Sequence, residues 1–329
     1  MRRILFVKPV WASGASFVGR DREMLATRHR LADLSYRAGD PLFPLRAFRH
    51  LMNADLAYVW FSGAHAFWVV ALARLMGRKT AIAAGGYDVA HMPEIGYGLR
   101  AEGGPWRRAY WALGHAGRVL AFSGFSASEV LRASPGARVV AVPMGFDPAR
   151  YPAGAAKEPL VLTVCHLKRD NVSRKGLDTF IAAARLLPPV RFVIAGRDVD
   201  GTAEKLRREA PANLEITGYL EEPRLLELMG KAKVYAQLSA HEGFGCALAE
   251  AMLCGCVPVV TGRGSLPEVA GPDAFYAEYG EAEAAAAKIR QALECEDGGR
   301  YRSWIGNNYS LDKRRAAVQS VMEELMEKG

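Results

Sequence analysis

The chain has 329 residues, half of them apolar and about a quarter charged, with a formal net charge of +8. This composition is ordinary for a folded soluble protein, and the length favours two domains of about 150 residues over one small core. No apolar run reaches the roughly 20 residues of a membrane-spanning helix, so an integral membrane helix is not expected.

The first half alternates apolar strands with helical stretches. Charges follow Met1 too soon for a signal peptide, so the N-terminus is expected to be a first strand. The predicted strands are Arg3–Val10, Asp55–Phe61, Lys79–Gly85, Arg118–Ser123 and Arg138–Pro143, with helices at Phe67–Leu75 and Ser126–Ala133. This order predicts a parallel, doubly wound α/β sheet.

The same alternation of strands and helices begins again after a turn-rich segment, Gly145–Gly154, which is the predicted linker. The predicted strands are Leu160–His166, Arg191–Gly196, Leu214–Gly218, Lys233–Ser239 and Cys256–Thr261; the helices are Leu177–Leu187, Thr202–Glu209, Glu222–Lys231, Ala247–Cys254 and a tail, Tyr301–Lys328. We therefore predict Rossmann-like domains over 1–148 and 155–305, and a C-terminal helix over 306–329 that packs back on the first. Ligands of such sheets bind beyond the carboxyl ends of the strands, so the site is expected in a cleft between the domains.

The positive charge belongs to the first half, where residues 1–152 hold 20 Lys and Arg against 10 Asp and Glu. Much of it clusters with Phe43 and Phe48, at Arg20, Arg22, Arg28, Arg30, Arg37, Arg46 and Arg49. Two interpretations remain open, a solvated basic face or a surface that docks on anionic lipid headgroups. A nucleic-acid partner is not expected, because no recognised binding module accompanies the charge.

The five cysteines have no Cys-x-x-Cys spacing, and no histidine pair has zinc spacing. They are expected to be reduced core residues of a cytoplasmic protein. If the basic half docks on lipid, the protein is peripheral to the inner face of the membrane.

The most informative segment runs from Ser239 to Met252. It places two carboxylates, Glu242 and Glu250, on either side of a glycine-rich turn between a predicted strand and a predicted helix. Such a turn exposes backbone N–H groups, and carboxylates accept hydrogen bonds from hydroxyls, so the pattern favours a sugar ligand. A dinucleotide Gly-x-Gly-x-x-Gly after the first strand and a Walker loop are both absent from the sequence, which disfavours hydride transfer and P-loop chemistry.

These residues resemble the retaining nucleotide-sugar glycosyltransferases of the GT-B fold, family 4, whose two Rossmann-like domains face each other. The resemblance rests on Glu242-Gly-Phe-Gly with Glu250-Ala-Met, which matches the family's Glu-x7-Glu signature, and on Gly255-Cys-Val-Pro-Val after it. Weaker matches are Arg174-Lys175-Gly176, Gly264-Ser-Leu-Pro-Glu268 and Val142-Pro-Met-Gly145. Together they cover about residues 80–270.

The resemblance implies roles for individual residues. Glu242 contacts the donor sugar near the reacting carbon, Glu250 binds the ribose hydroxyls, and the turn of Gly243, Phe244, Gly245 and Cys246 offers N–H groups to the sugar. Lys175 neutralises the diphosphate leaving group, with Arg169 as the preferred second cation and Arg174 as the substitute. His166 occupies the usual arginine position, and Tyr219, Ser265 and Gly14 are further donor-side candidates.

On the acceptor side, the candidates are Tyr87, Asp88, His91 and Glu94, with Tyr87 where relatives often carry a histidine. Asp88 either orients the acceptor hydroxyl or caps a helix. Asp198-Val-Asp200 resembles a metal motif of another fold, but we interpret it as a turn. No metal and no other cofactor is expected.

The sequence therefore predicts a retaining, metal-independent glycosyltransferase that moves a sugar from a nucleoside-diphosphate donor to an unidentified acceptor hydroxyl on a glycan, a lipid-linked glycan or a small molecule. Two alternatives stay open. One is a hydrolysing epimerase or phosphorylase of the same fold, and the other is a non-catalytic partner that binds sugar nucleotides.

Overall fold

The computed structural model describes residues 1–152, 154 and 156–327. The chain forms two compact units, one built from Met1–Gly145 together with the segment from Leu311 onward, and the other from Phe146–Ser310. Phe146 and Tyr151, in the segment predicted as a linker, are buried and lie within the second unit. In the described part of the chain, no helix is both long enough and apolar enough to cross a membrane.

The first unit is a six-stranded parallel sheet with helices between its strands. The strands are β1 (Arg3–Pro9), β2 (Arg30–Tyr36), β3 (Leu56–Trp60), β4 (Lys79–Ala84), β5 (Arg118–Ala121) and β6 (Val139–Ala141). The helices are α1 (Ser16–Ala26), α2 (Phe43–Met52), α3 (Ala64–Leu75), α4 (Trp106–His115) and α5 (Gly124–Ala133). The strand order is β2-β1-β3-β4-β5-β6.

Burial follows position in this sheet. Every residue of the central strand β3, Leu-Ala-Tyr-Val-Trp, is buried, because helices cover both faces of a parallel sheet. In the edge strand β2 only Leu34 is buried, and Arg30, Asp33 and Ser35 interrupt the apolar residues, which weakens the apolar signal of a strand. This strand is absent from the prediction, which assigns Arg30 only to a basic cluster.

The second unit is also a six-stranded parallel sheet. Its strands are β7 (Glu158–Val164), β8 (Arg191–Ala195), β9 (Leu214–Gly218), β10 (Ala232–Gln237), β11 (Val257–Thr261) and β12 (Phe275–Ala277). Its helices are α6 (Arg169–Arg174), α7 (Leu177–Arg185), α8 (Thr202–Glu209), α9 (Glu222–Lys231), α10 (Cys246–Leu253), α11 (Leu266–Ala270), α12 (Ala282–Glu294) and α13 (Gly299–Asn308). The order β12-β11-β10-β7-β8-β9 confirms the predicted Rossmann-like topology and puts the reversal of strand order between β7 and β10.

The predicted helical tail is two helices, because α13 ends at Asn308 and α14 spans Leu311–Glu327. The break carries the chain from the second unit to the first, where α14 packs. Arg314 of α14 is buried and makes a two-pronged ion pair with Asp21, with both N–O distances 2.7 Å. Its remaining nitrogen donates to the carbonyls of Val142 and Pro143, each at 2.8 Å.

Candidate active site

Two loops meet where the strand order of the second sheet reverses. The loop after β10 donates a hydrogen bond from Ala240 N–H to the carbonyl of Arg174, after β7, at 2.8 Å. Gly176 allows this approach: its φ is +63°, and a Cβ built on it would lie 2.1 Å from the carbonyl oxygen of Leu238. Only glycine fits there, and the close approach brings the side chains of both loops together.

Glu242 is the centre of this junction and is only 8% exposed. Its Oε1 accepts hydrogen bonds from Lys175 Nζ at 2.6 Å and from Ser239 Oγ at 2.9 Å, and it lies 4.0 Å from Arg174 Nη1. All three contacts fall on the same oxygen, and within the described residues no hydrogen bond reaches Oε2. One oxygen is therefore fixed by cations, while the other can accept a hydrogen bond from a ligand hydroxyl.

The charge state of Glu242 follows from these neighbours. Burial alone would raise the pKa of its carboxyl, but the charges of Lys175 and Arg174, with hydrogen bonds from Lys175 and Ser239, lower the pKa to about 2. Glu242 is thus an anion throughout the physiological range.

A stability prediction follows from this pKa. Because the folded-state pKa is below the unfolded value, Glu242 stabilises the second unit fully above about pH 4.5, and this contribution is lost as the pH falls toward 2. The full contribution is about 3 kcal/mol. Urea unfolding between pH 6 and pH 3 should therefore show a smaller loss of unfolding free energy for Glu242→Gln than for the wild type. Parallel pH dependence of the two proteins would contradict the assignment.

The turn after Glu242 positions the second carboxylate. Gly245 has a φ of +95° and is followed by α10, so Glu250 lies in the second turn of that helix. Its Oε1 accepts a hydrogen bond from Tyr151 Oη at 3.4 Å. The buried Phe244 ring stacks on Phe146 at 6.0 Å between centroids. The side chain of Phe244 thus anchors the turn. Gly243 precedes Phe244 in the turn, and Cys246 is the first residue of α10.

Ser265 supports the site from the third loop, after β11. Ser265 is one of the predicted donor-side residues, and its buried hydroxyl donates to the carbonyl of Glu242 at 3.0 Å. Its backbone N–H donates to the same carbonyl at 3.1 Å. Ser265 thus fixes the backbone of Glu242.

The structure places Arg174, and not the preferred Arg169, beside Glu242. The Arg174 guanidinium is held by Asn171 Oδ1, at 2.7 Å from Nη2. Arg169 is exposed in the first turn of α6, where its backbone N–H donates to Asp200. The geometry therefore favours Arg174 as the second cation, because α6 turns Arg169 outward.

Further cations surround His166, which follows β7. Burial and then the positive charges of Arg197, Lys175, Lys168 and Arg174 lower the pKa of this histidine. His166 is therefore neutral at pH 7, and its surroundings suit a negatively charged group.

Sequence reasoning missed Arg197 and Ser239. Arg197 follows β8, next to β7 in the sheet, and its guanidinium lies over the ring of Tyr219 at 4.7 Å from the centroid. Tyr219 itself is 54% exposed at the carboxyl end of β9. The signal available in the sequence was position, because Arg197 directly follows a predicted strand and Ser239 is the last residue of another.

The Asp198 and Asp200 side chains lie in a turn, as predicted. Asp198 Oδ1 accepts from Gly201 N–H at 3.0 Å, and Asp200 Oδ1 accepts from the Thr202 hydroxyl at 2.6 Å. Both carboxylates thus help to begin α8. In the described residues, no group of three or more His, Cys, Asp or Glu is placed to hold a metal ion.

Asp88, in the first unit, is buried at the exit of β4. Its carboxylate accepts from the backbone N–H groups of Ser62 at 2.9 Å, Gly86 at 3.0 Å and Gly85 at 3.2 Å. Burial raises the pKa of Asp88 to about 6, although these hydrogen bonds act in the opposite direction. The geometry therefore favours a loop-fixing role over the orientation of an acceptor hydroxyl.

The other predicted first-unit residues lie on the surface of that unit. Tyr87, His91 and Glu94 are exposed on one loop after β4, where the Tyr87 hydroxyl donates to Glu102 at 2.5 Å. Gly14 lies in the turn between β1 and α1, with no atom within 4 Å of a Cβ built on it. Their acceptor and donor roles stay predictions.

Known proteins resemble the chain both in sequence and in fold. The family model of the glycosyl transferases group 1 matches residues 153–310. A GDP-mannose:cellobiosyl-diphosphopolyprenol alpha-mannosyltransferase of Komagataeibacter xylinus is 30% identical over 44% of this chain, and the match covers 38% of that protein. The O-antigen chain mannosyltransferase B of Escherichia coli is 27% identical over 56% of this chain and is covered to 53%. The matches thus span about half the length of these relatives or less.

Solved structures agree over the whole fold. The Anabaena protein HepE, in complex with UDP and glucose, superposes with a TM-score of 0.79 at 17% identity, covering 99% of this chain and 100% of that chain. The sucrose-phosphate synthase of Thermosynechococcus elongatus gives a TM-score of 0.80 at 15% identity, with both chains covered completely. The chain has the GT-B fold, and its residues 153–310 match the family model of the glycosyl transferases group 1.

Proposed function

We propose that this protein is a retaining glycosyltransferase that moves a sugar from a nucleoside-diphosphate donor to an acceptor hydroxyl without a metal ion. The observation that carries the proposal is Glu242. This buried carboxylate has one oxygen fixed by Lys175, Arg174 and Ser239, and its second oxygen can accept from a sugar hydroxyl.

The cations supply the electrostatic part of the reaction. When the bond between the sugar and the diphosphate breaks, the electron pair and the negative charge leave with the phosphate oxygen. Lys175 has three N–H donors and donates one of them to Glu242, so two remain for the phosphate oxygen. Arg174 adds a fixed positive charge, and these groups do the work that a divalent ion does in other transferases.

The second carboxylate binds the nucleotide. Glu250 lies one helical turn beyond the glycine-rich turn, and a carboxylate can accept a pair of hydrogen bonds from the vicinal hydroxyls of a ribose. The names of the related mannosyltransferases make GDP-mannose the first donor to test. One relative acts, by its name, on a cellobiosyl-diphosphopolyprenol, so a lipid-linked glycan is the first acceptor class.

The experiment is a donor screen followed by transfer. GDP, UDP and ADP are compared by thermal shift, and the matching nucleotide should stabilise the protein by about 2.7 kcal/mol at 100 times its Kd. The matching sugar nucleotide is then incubated with diphosphate-linked glycans, and the anomeric configuration of the product is read by NMR. We expect retained configuration and an unchanged rate in EDTA.

Several outcomes would count against the proposal. Inverted configuration would contradict retention, and loss of rate in EDTA would contradict metal independence. Release of a free sugar or an epimer without an acceptor would favour the epimerase, and a need for inorganic phosphate would favour the phosphorylase. Nucleotide binding with no turnover on any acceptor would favour a non-catalytic partner.

A further inference from the structure

The predicted basic cluster of the first unit divides into two groups in the structure. Some of its arginines are neutralised by acidic neighbours, as in the pairs Arg22–Asp33, Arg28–Glu323 and Arg46–Asp40. Phe43, which was grouped with the surface arginines, is fully buried in the core. Of the other residues of the cluster, Arg30 and Arg49 line a hollow beside helix α2, and Phe48 lies on that helix.

Helix α2 exposes a row of large apolar side chains. Phe43, Ala47 and Leu51 face the core, while Leu45, Phe48 and Met52 are exposed by 49%, 40% and 49%. Leu42, directly before the helix, is exposed by 62%. The spacing i, i+3 and i+7 puts the exposed residues on one stripe, which surface helices of soluble proteins normally fill with polar residues.

Basic groups border this stripe. Arg49 and His50 follow the apolar residues around the same helix, which contains no acidic residue, while Arg46 of this helix pairs with Asp40. Beside α2 lies a cavity of about 420 Å³ at the amino-terminal ends of β1 and β2. Arg3, Arg30, Arg49 and His50 line it, and no acidic side chain does. Three arginines thus line one hollow, and guanidinium groups are favoured partners of a phosphate.

We propose that α2 and this cavity dock the protein on an anionic phospholipid surface. The apolar stripe enters the boundary between headgroups and acyl chains, and the arginine-lined cavity receives a lipid phosphate. A soluble polyanion accounts for the arginines but leaves the four exposed apolar side chains in water. An anionic bilayer satisfies both, because it offers apolar depth and negative charge at the same place.

The test is vesicle co-sedimentation of the full chain. Phosphatidylcholine vesicles are compared with vesicles that also contain phosphatidylglycerol, at low and high salt. We expect pelleting with the anionic vesicles only, weakened by salt. The variant Leu45→Asn/Phe48→Asn should bind at least roughly tenfold more weakly. Arg30→Gln/Arg49→Gln should lose roughly fivefold for each arginine removed.

Two controls match these variants in exposure and charge. Leu186→Asn removes a leucine that is 45% exposed in the second unit, and Arg290→Gln removes an exposed arginine of α12. Both should pellet like the wild type. Thermal unfolding confirms that each variant is folded, which is expected because the substituted residues are at the surface.

Three outcomes would overturn the proposal. One is equal pelleting with neutral and anionic vesicles, and another is wild-type binding by the α2 variants. The third is binding that needs the arginines but not Leu45 and Phe48, which would indicate a soluble polyanion. Vesicle binding requires no sugar transfer, so this inference can fail while nucleotide binding and transfer persist, and the reverse also holds.

Discussion

Replacing Lys175 by Met should lower the rate of sugar transfer by about 100- to 1,000-fold, the usual cost of removing one group that stabilises charge in a transition state. Methionine keeps much of the length of the side chain but removes the ammonium group, which lies 2.6 Å from Glu242. Transfer should fall mainly through kcat, because the charge on the leaving phosphate grows as the bond breaks.

Lys168→Met is the matched control. Lys168 lies on the same loop after β7, is 40% exposed and pairs with Asp170 at 3.0 Å, so its charge is screened by solvent. Steady-state kinetics with the identified donor should show nearly wild-type transfer for this variant. Similar losses for both variants would mean that the loop needs positive charge in general, and normal transfer by Lys175→Met would remove the lysine from the mechanism.

Replacing Arg314 by Leu should destabilise the first unit by about 3–5 kcal/mol, because Asp21 is left as a buried charge without its partner. Both oxygens of Asp21 accept from this guanidinium, and Oδ2 also accepts from the buried Tyr58 hydroxyl at 2.7 Å. Two backbone carbonyls lose their donor at the same time. Urea unfolding at neutral pH measures the loss.

Arg315→Leu tests whether burial is the cause. Arg315 is the next residue, is 42% exposed and pairs with Asp312 at 2.5 Å, so its loss should change the unfolding free energy by less than about 0.5 kcal/mol. The double variant Asp21→Asn/Arg314→Leu should lose less than the sum of the two single variants. Strict additivity would show that the pair does not act as a unit.

The parts of the fold that were predicted from sequence are those with a strong apolar signal. Strand β10 and strand β11 are buried and rich in apolar residues, and both were placed within a residue or two of their observed ends. The edge strand β2 escaped prediction because Arg30, Asp33 and Ser35 interrupt its apolar residues, of which only Leu34 is buried. The sequence predicts one helix for the tail because Asn308, Tyr309 and Ser310 do not include a glycine or proline to mark the break.

The site residues that could be predicted are those that lie in short motifs of characteristic spacing. Glu242 and Lys175 each precede a glycine, Glu250 follows Glu242 at the Glu-x7-Glu spacing, and the structure places Glu242 and Lys175 in contact. The choice between Arg169 and Arg174 depended on which way a six-residue helix turns its side chains, and local spacing does not encode that. Arg197 was missed for a related reason. It follows the neighbouring strand β8 and comes near His166, Lys175 and Arg174 only in the folded protein.

The route of the chain has a consequence for the order of its synthesis. The first unit is interrupted after Gly145 and completed only by α14, which leaves the ribosome after the entire second unit. Domains generally fold one after another from the N-terminus as they emerge. The counter-charge of the buried Asp21 is Arg314, which is translated after the whole second unit. A nascent chain of this protein can finish its second unit before it can finish its first.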